Sequence, residues 1–300
     1  MVPLPDRWLS SVLVRYQGSL ILFDCGEGTQ ISWRRYHWGF RRLDAICLSH
    51  LHADHVAGLP GLLHTVANAG RVEPLVVYGP VGTGEAVDGL RVIARRLPFE
   101  VQVRELSDGD QFALADELRG TVRVGLHRVP VLGYRLDLDR EPAFDRDRAI
   151  AMDVPRVEWS RLQAGESVTI DGRTILADEV RGVPRQGVSF AFVTDTRPTD
   201  ALAELLRDAD FVVCEATYGD DEDQPKAELH RHMTVREAAT LAARAGVGTL
   251  WLTHFGAGMT DPEAYAETAR SVFPGAVMGA AGLTGRLTFR NGYESVKHSG

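Results

Sequence analysis

Short apolar runs alternate along this chain with stretches whose apolar positions recur at helical spacing. Leu20-Ile-Leu-Phe23, Ala45-Ile-Cys-Leu48, Leu75-Val-Val-Tyr78, Ser189-Phe-Ala-Phe-Val193, Phe211-Val-Val213 and Thr249-Leu-Trp-Leu252 read as buried strands, because they carry no polar alternation. Gly84 to Leu97 and Asp200 to Asp208 read as helices. Thr234-Val-Arg-Glu237 has the form of a capping box and opens an Ala-rich helix that stops near Gly246. Strands and helices taken in turn predict an α/β fold. The pattern breaks once, at about Leu136 to Arg185, where Asp137, Asp139, Arg140, Glu141, Asp145, Arg146, Asp147 and Arg148 crowd together and apolar residues thin out. Asp171-Gly172 offers a hairpin turn there. The segment reads as an excursion from the main core, with a solvated surface insertion as the plainer alternative.

The polar residues that end the apolar runs carry the chemistry. His50-Leu-His52-Ala-Asp54-His55 follows the run Leu43 to Ser49 and precedes a stretch that opens a helix, so four potential metal ligands sit on one strand-to-helix turn. Imidazoles with a carboxylate suit zinc, manganese or iron, and no thiolate is needed. His127 follows Thr121 to Leu126, Asp195 ends Phe190 to Thr194, and His254 ends Leu250 to Thr253. Each alone would be an ordinary strand-end residue. Together with the first cluster they make the seven ligands of a two-metal site, in which a carboxylate such as Asp195 could bridge ions about 3.5–4 Å apart. Gly79-Pro-Val-Gly-Thr-Gly84 invites a phosphate-loop reading but lacks the Lys-Ser/Thr ending, so it reads as a strand-to-helix turn with a minor chance of touching a phosphate backbone.

Composition narrows the class. A chain of 300 residues, 44% hydrophobic, can bury a full core. Its formal charge of −8 argues against a broad nucleic-acid surface driven by charge, while leaving room for a local basic groove. Cys25, Cys47 and Cys214 lie far apart in or beside apolar strands, which suits reduced core thiols and no disulfide framework. No run reaches membrane-span length and no signal peptide is evident, so a soluble, cytoplasmic protein without membrane contact is expected.

These residues resemble the metallo-β-lactamase superfamily, through the His-x-His-x-Asp-His pattern of His50, His52, Asp54 and His55. Within it they resemble the ribonuclease Z family of tRNA 3′-processing endonucleases. That narrower similarity rests on Phe23-Asp24-Cys25-Gly26-Glu27-Gly28-Thr29-Gln30, Asp195-Thr196-Arg197-Pro198, Glu215-Ala216-Thr217, His232-Met-Thr234 and Leu252-Thr253-His254, in order from about Pro3 to His254. The resemblance implies a four-layer αββα sandwich as a single domain over 1–300, with 136–185 as an inserted, exosite-like protruding arm. It implies two Zn2+ per subunit, with Mn2+ or Fe2+ also possible. One ion would be held by His50, His52 and His127, the other by Asp54, His55 and His254, with Asp195 bridging. Asp54 would also orient or deprotonate the bridging water. Glu215 and His232 would form a catalytic pair that protonates the leaving oxygen, and Asp24 would fix a ligand histidine's tautomer. His37, His64, His230 and His298 match no motif position and are taken as ordinary residues.

The implied function is hydrolysis of the phosphodiester 3′ of the tRNA acceptor stem in precursor tRNA, by a homodimer. The residues by themselves support metal-assisted hydrolysis. A dinuclear-zinc phosphodiesterase or other hydrolase of a small ester is the alternative, and an RNA-binding module that keeps the metal site for stability is a third reading. Three departures from the family are expected to matter. The chain starts at Val2-Pro-Leu-Pro-Asp-Arg7-Trp-Leu-Ser10-Ser11, so the family's first strand would be missing or the start codon placed late. Val154-Pro-Arg-Val-Glu-Trp159 shows little of the Gly/Pro-rich arm signature. Phe255-Gly-Ala-Gly258 stands where the family commonly has Ser and Arg.

Overall fold

The structure is a computed structural model and describes residues 3–4, 7–115 and 117–296. Val2, Pro5 and Asp6 of the opening segment, and His298, lie outside the described residues. Val12–Tyr16 (β1) and Ser19–Phe23 (β2) form a hairpin. Leu43–Cys47 (β3), Leu75–Gly79 (β4) and Val101–Glu105 (β5) then add in parallel, giving a sheet of order β1-β2-β3-β4-β5. Parallel neighbours require crossovers, which contain Thr29–Arg35 (α1), Ala53–Val56 (α2), Leu59–Asn68 (α3) and Thr83–Leu90 (α4).

The chain continues through Gln111–Ala115 (β6), Leu118–Val124 (β7) and Leu132–Arg140 (β8). The charge-dense segment comes next, with Arg146–Ala151 (α5), Trp159–Gln163 (α6) and the hairpin Val168–Ile170 (β9) and Arg173–Ile175 (β10). It returns on Arg185–Val193 (β11), then Asp200–Leu205 (α7), Phe211–Glu215 (β12), Gln224–His230 (α8), Val235–Arg244 (α9), Thr249–Thr253 (β13), Ala266–Arg270 (α10) and Val277–Met278 (β14). The second sheet has order β14-β13-β12-β11-β8-β7-β6, with β11 to β14 parallel. Thr284–Thr288 (β15) and Gly292–Val296 (β16) close the described chain as a hairpin.

The six apolar runs are strands, and burial explains their lack of alternation. Leu20 and Leu22 of β2 pack with Ile46 of β3 and with Leu59, Leu62, Leu63 and Val66 of α3. Phe23 faces the other way, its ring 5.7 Å from that of Tyr134 and 5.5 Å from those of Phe190 and Phe192 on the second sheet. On the far side, Ala191, Val212, Cys214, Leu250 and Leu252 bury against α7, α9 and α10. Both faces of both sheets are therefore covered, giving helices, sheet, sheet and helices in four layers. Cys25, Cys47 and Cys214 are free and buried. Among the described residues no helix is long and apolar enough to cross a membrane.

Two helices end earlier than the sequence suggests. α4 stops at Leu90 and gives one 3-10 turn, Arg91–Ile93, instead of running to Leu97. The β-branched pair Val92-Ile93 is exposed, and Pro98 biases Leu97 away from helix. α7 stops at Leu205, and Asp208 instead takes φ +52° and donates its N–H to Ala245. The capping box is present: Thr234 accepts from Glu237 N at 3.2 Å, and Glu237 accepts from Thr234 N at 3.0 Å.

Leu138–Val188 is a compact unit of its own, within a few residues of the break in the sequence pattern. Ala149, Val154, Leu162, Val168, Ile175 and Val180 form a small buried cluster in it, flanked by Phe144 and Trp159. Asp171 and Gly172 both have positive φ, +49° and +79°, the twist a two-residue hairpin needs.

In the larger unit the two sheets are joined by a buried bond: the Tyr134 hydroxyl donates to the Leu48 carbonyl at 2.7 Å. Tyr134→Phe keeps the ring and strands that carbonyl. The expected loss is about 1–3 kcal/mol of unfolding free energy, read from urea denaturation; an unchanged midpoint would contradict this role.

Candidate metal centre

Parallel strands bring their carboxyl ends to one edge, where side chains from several strands can meet. His50 lies just past β3, Asp195 past β11, Glu215 ends β12 and His254 follows β13. Asp24, Asp195 and His254 take φ of +56°, +47° and +56°, left-handed backbone that turns each side chain sharply off its strand. The segment after β2 wraps the histidine turn. Cys25 N donates to His55 O at 2.7 Å and Gly58 N to Cys25 O at 2.8 Å. A Cβ on Gly26 would stand 2.4 Å from Asp54 O, and one on Gly58 2.2 Å from Gly26 O, so these glycines permit the close approach.

The structure brings all seven expected ligands together. Their donor atoms fall into groups within 4.8 Å: His50, His52, His127 and Asp195, then Asp54, His55 and His254. His50 Nε2 is 3.0 Å from His52 Nδ1, and His127 Nε2 is 3.4 Å from the same atom. His55 Nε2 is 3.2 Å from His254 Nε2. Asp195 Oδ2 faces the first group, 3.6 Å from His50 Nε2, while Oδ1 faces the second, 3.3 Å from His55 and 3.0 Å from His254. A third group joins Asp195, His232 and His254.

The far ring nitrogens decide what this clustering is for. His55 Nδ1 donates to Asp24 Oδ2 at 2.6 Å, and His127 Nδ1 to the Arg231 carbonyl at 3.1 Å. A carboxylate and a carbonyl can only accept, so each Nδ1 holds a proton, which leaves Nε2 as the nitrogen that can turn a lone pair to a metal. His50 Nδ1 meets Ser49 Oγ at 3.0 Å and His254 Nδ1 meets Thr217 Oγ1 at 3.2 Å. Asp24 is anchored by Ser49 N at 2.7 Å and Ser49 Oγ at 2.9 Å, the orienting role expected of it. Nitrogens about 2.0–2.1 Å from a tetrahedral ion stand about 3.3 Å apart, which matches the spacings of 3.0, 3.2 and 3.4 Å here. The nitrogen and oxygen donors fit a divalent metal.

Charge on the side chains follows the same geometry. Burial pushes His50 down to about 2, so it stays neutral. Burial also opposes charge on His254, but Asp195 outweighs it and raises that ring to about 9. His55 is raised by Asp195 and Asp24 against its burial. Binding a cation would replace those protons.

Glu215 and His232 meet beside the cluster. Glu215 is fully buried and accepts from Thr196 N at 2.6 Å, Thr217 Oγ1 at 2.6 Å and Met233 N at 3.2 Å. His232 Nδ1 lies 3.1 Å from Glu215 Oε1, and its Nε2 lies 3.9 Å from Asp195 Oδ2. Arg197 fixes the segment, donating to the His232 carbonyl at 2.6 Å while pairing with Glu237 of the capping box.

Comparison with known proteins bears on this arrangement. A β-lactamase superfamily domain matches residues 20–145 and 140–255. Ribonuclease Z of Clostridium beijerinckii is 43% identical over 287 residues, covering 93% of this chain and 92% of its own. The chain belongs to the ribonuclease Z family. Ribonuclease Z of Clostridioides difficile is 40% identical over 292 residues, with 96% and 95% covered. Two solved structures share the metallo-β-lactamase fold. Human tRNase Z, short form, has TM-score 0.65, is 24% identical and covers 93% of each chain. A metallo-β-lactamase fold protein of Bacillus subtilis has TM-score 0.66, is 20% identical and covers 93% of this chain and 92% of that one.

Sequence reading missed two features of the site. His230 lines the same 280 Å³ cavity as His52, Asp54, His127, His232 and His254, together with Arg128 and Tyr218. Its spacing from His232 was the available signal. Arg231, at φ +60°, orients His127 through its carbonyl and donates its own guanidinium to the His127 carbonyl. The Gly79–Gly84 stretch is the expected strand-to-helix turn, and there the Glu105 carboxylate accepts from Gly82 N and Gly84 N, both at 3.0 Å. His37 and His64 are ordinary residues at the surface, as expected.

Asp24→Asn keeps a residue that tolerates the left-handed backbone but removes the charge holding His55. Metal affinity is expected to fall about 10–100-fold, measured by competition with a chromophoric chelator. Unchanged affinity would mean that Asp24 does not orient the ligand.

Proposed function

We infer that this chain is a metal-dependent endoribonuclease that hydrolyses the phosphodiester 3′ of the tRNA acceptor stem, releasing the 3′ trailer. The observation that carries this reading is the Glu215–His232 pair, placed with His232 Nε2 facing Asp195 and the two ligand groups. A hydrolase of activated small esters has little need for such a proton donor. An RNA hydrolase has, because its leaving ribose oxygen is a poor leaving group until protonated.

We propose two zinc ions per subunit, Mn2+ or Fe2+ being acceptable to the same donors, with His50, His52 and His127 holding one, Asp54, His55 and His254 the other, and Asp195 between them. Such ions would neutralise the non-bridging oxygens of the phosphate and lower the pKa of the attacking water. The remaining chemistry belongs to the chain. Asp54, a carboxylate beside a dication in this reading, would stay ionised. Ionised, it can accept a hydrogen bond from the attacking water and set its approach to phosphorus. As water adds to phosphorus, giving up a proton by way of the Asp54 carboxylate to solvent, and the bond from phosphorus to the tRNA 3′ oxygen breaks, His232 gives that oxygen its Nε2 proton, and Glu215 stabilises the ring through Nδ1. The products are a 3′-hydroxyl on the tRNA and a 5′-phosphate on the trailer. The Leu138–Val188 unit is the exosite-like arm for the tRNA in this reading, on the single domain of the family. The working form is a cytoplasmic homodimer, an assignment supported by the family resemblance.

Precursor tRNA with a 3′ trailer and bis(p-nitrophenyl) phosphate, given in parallel, test the reading. Cleavage at the end of the acceptor stem, abolished by EDTA and restored by zinc, is expected. Turnover of the small ester alone would establish the alternative, a small-ester hydrolase. His232→Ala is expected to slow RNA cleavage about 10²–10⁴-fold and the nitrophenyl ester far less, since nitrophenolate leaves without a proton. Equal losses on the two substrates would remove His232 from the proton-donor role.

A further inference from the structure

Two basic side chains at the mouth of the cavity have no part in the hydrolytic machinery just described. Arg128 directly follows the buried His127 and is exposed, and His230 closes α8 and is half-buried. Both line the cavity that holds the inward faces of His52, Asp54, His127, Asp195 and His232. Arg128 Nη2 donates to His230 Nδ1 at 2.8 Å and to the Leu229 carbonyl at 3.3 Å. A guanidinium has no acceptor, so Nδ1 accepts and the ring proton of His230 is on Nε2. His230 Nε2–H and the Nε–H and Nη1 groups of Arg128 have no protein partner among the described residues. No carboxylate pairs with Arg128 among them either, in a chain with 41 acidic residues against 33 basic ones. What remains is a fixed cation with free N–H donors, opening on the same cavity as the candidate metal centre.

We propose that Arg128 and His230 seat a phosphate of the RNA backbone adjoining the one that is cleaved. Arg128 supplies the charge and a forked pair of donors, a geometry suited to phosphate. His230 holds the guanidinium in place and adds one donor. The seat rests on the endoribonuclease reading and adds to it a means of telling a polynucleotide from an isolated diester. A substrate with a single phosphate reaches the metal ligands but has nothing to place here.

The test compares precursor tRNA with bis(p-nitrophenyl) phosphate, using the metal-loaded protein and its Arg128→Ala, Arg128→Lys and His230→Ala variants. Melting temperature and bound metal are measured for each. Arg128→Ala is expected to raise KM for the RNA about tenfold with a much smaller change in kcat, and to lower kcat/KM for RNA about tenfold more than for the ester. The slope of log KM against log salt should shrink by about one. Arg128→Lys, which keeps the charge and loses the fork, should fall between, as should His230→Ala. Equal losses on both substrates, or an unchanged KM for RNA, would overturn the seat. Should Arg128→Ala shed metal through its neighbour His127, the other two variants decide. Failure of the unaltered protein to cleave precursor tRNA would instead remove the functional reading, and the seat with it.

Discussion

Five imidazoles and two carboxylates aimed at one small volume make an arrangement that nothing but a cation would favour. Lone pairs 3.0–3.4 Å apart repel, as between His50 and His52 or His127 and His52. The surrounding structure must hold them there. It does so from behind, since Asp24, Ser49, Thr217 and the Arg231 carbonyl each occupy the outer nitrogen of one ring. Behind those groups stand the parallel strands, buried on both faces and cross-linked between sheets through Tyr134. Leu132 N also donates to Ser49 O at 2.9 Å, so the second sheet anchors the residue next to His50. The rigidity of a packed core is what holds the ligands this close to one another.

The same economy appears around the proton donor. Thr234 and Glu237 form an ordinary helix cap, worth about 1 kcal/mol in most proteins. Here Glu237 also pairs with Arg197, which holds the carbonyl of His232. The cap of α9 therefore sets the position of a ring that also faces Glu215 and Asp195. A local device of helix stability has become part of the geometry of the site.

Much of this was legible in the chain itself, for a physical reason. Strands covered on both faces must be apolar throughout, so a histidine or aspartate that ends one stands out, as His50, Asp195 and His254 do. The Thr234–Glu237 box is local and could be read directly. What escaped was whatever depends on distant residues meeting. Arg128 and His230 are 102 positions apart, and although each stands beside a candidate site residue, nothing local says that they meet. The cluster of Val154, Leu162, Val168 and Ile175 was hidden because its members are few and spread among charges. Helix ends at Leu90 and Leu205 were set by backbone partners and exposure, which apolar spacing does not record.

The Glu105 carboxylate on Gly82 N and Gly84 N has a consequence for traffic at this face. An amino-terminal helix turn with free N–H groups attracts any polyanion, and Gly82 lies close enough to Leu51, between His50 and His52, that an added Cβ would stand 3.4 Å from its side chain. With both N–H groups already bonded to Glu105, the turn next to the histidine loop presents a carboxylate where it would otherwise present donors, so the pull on anions at this face is left to the ligand cluster itself.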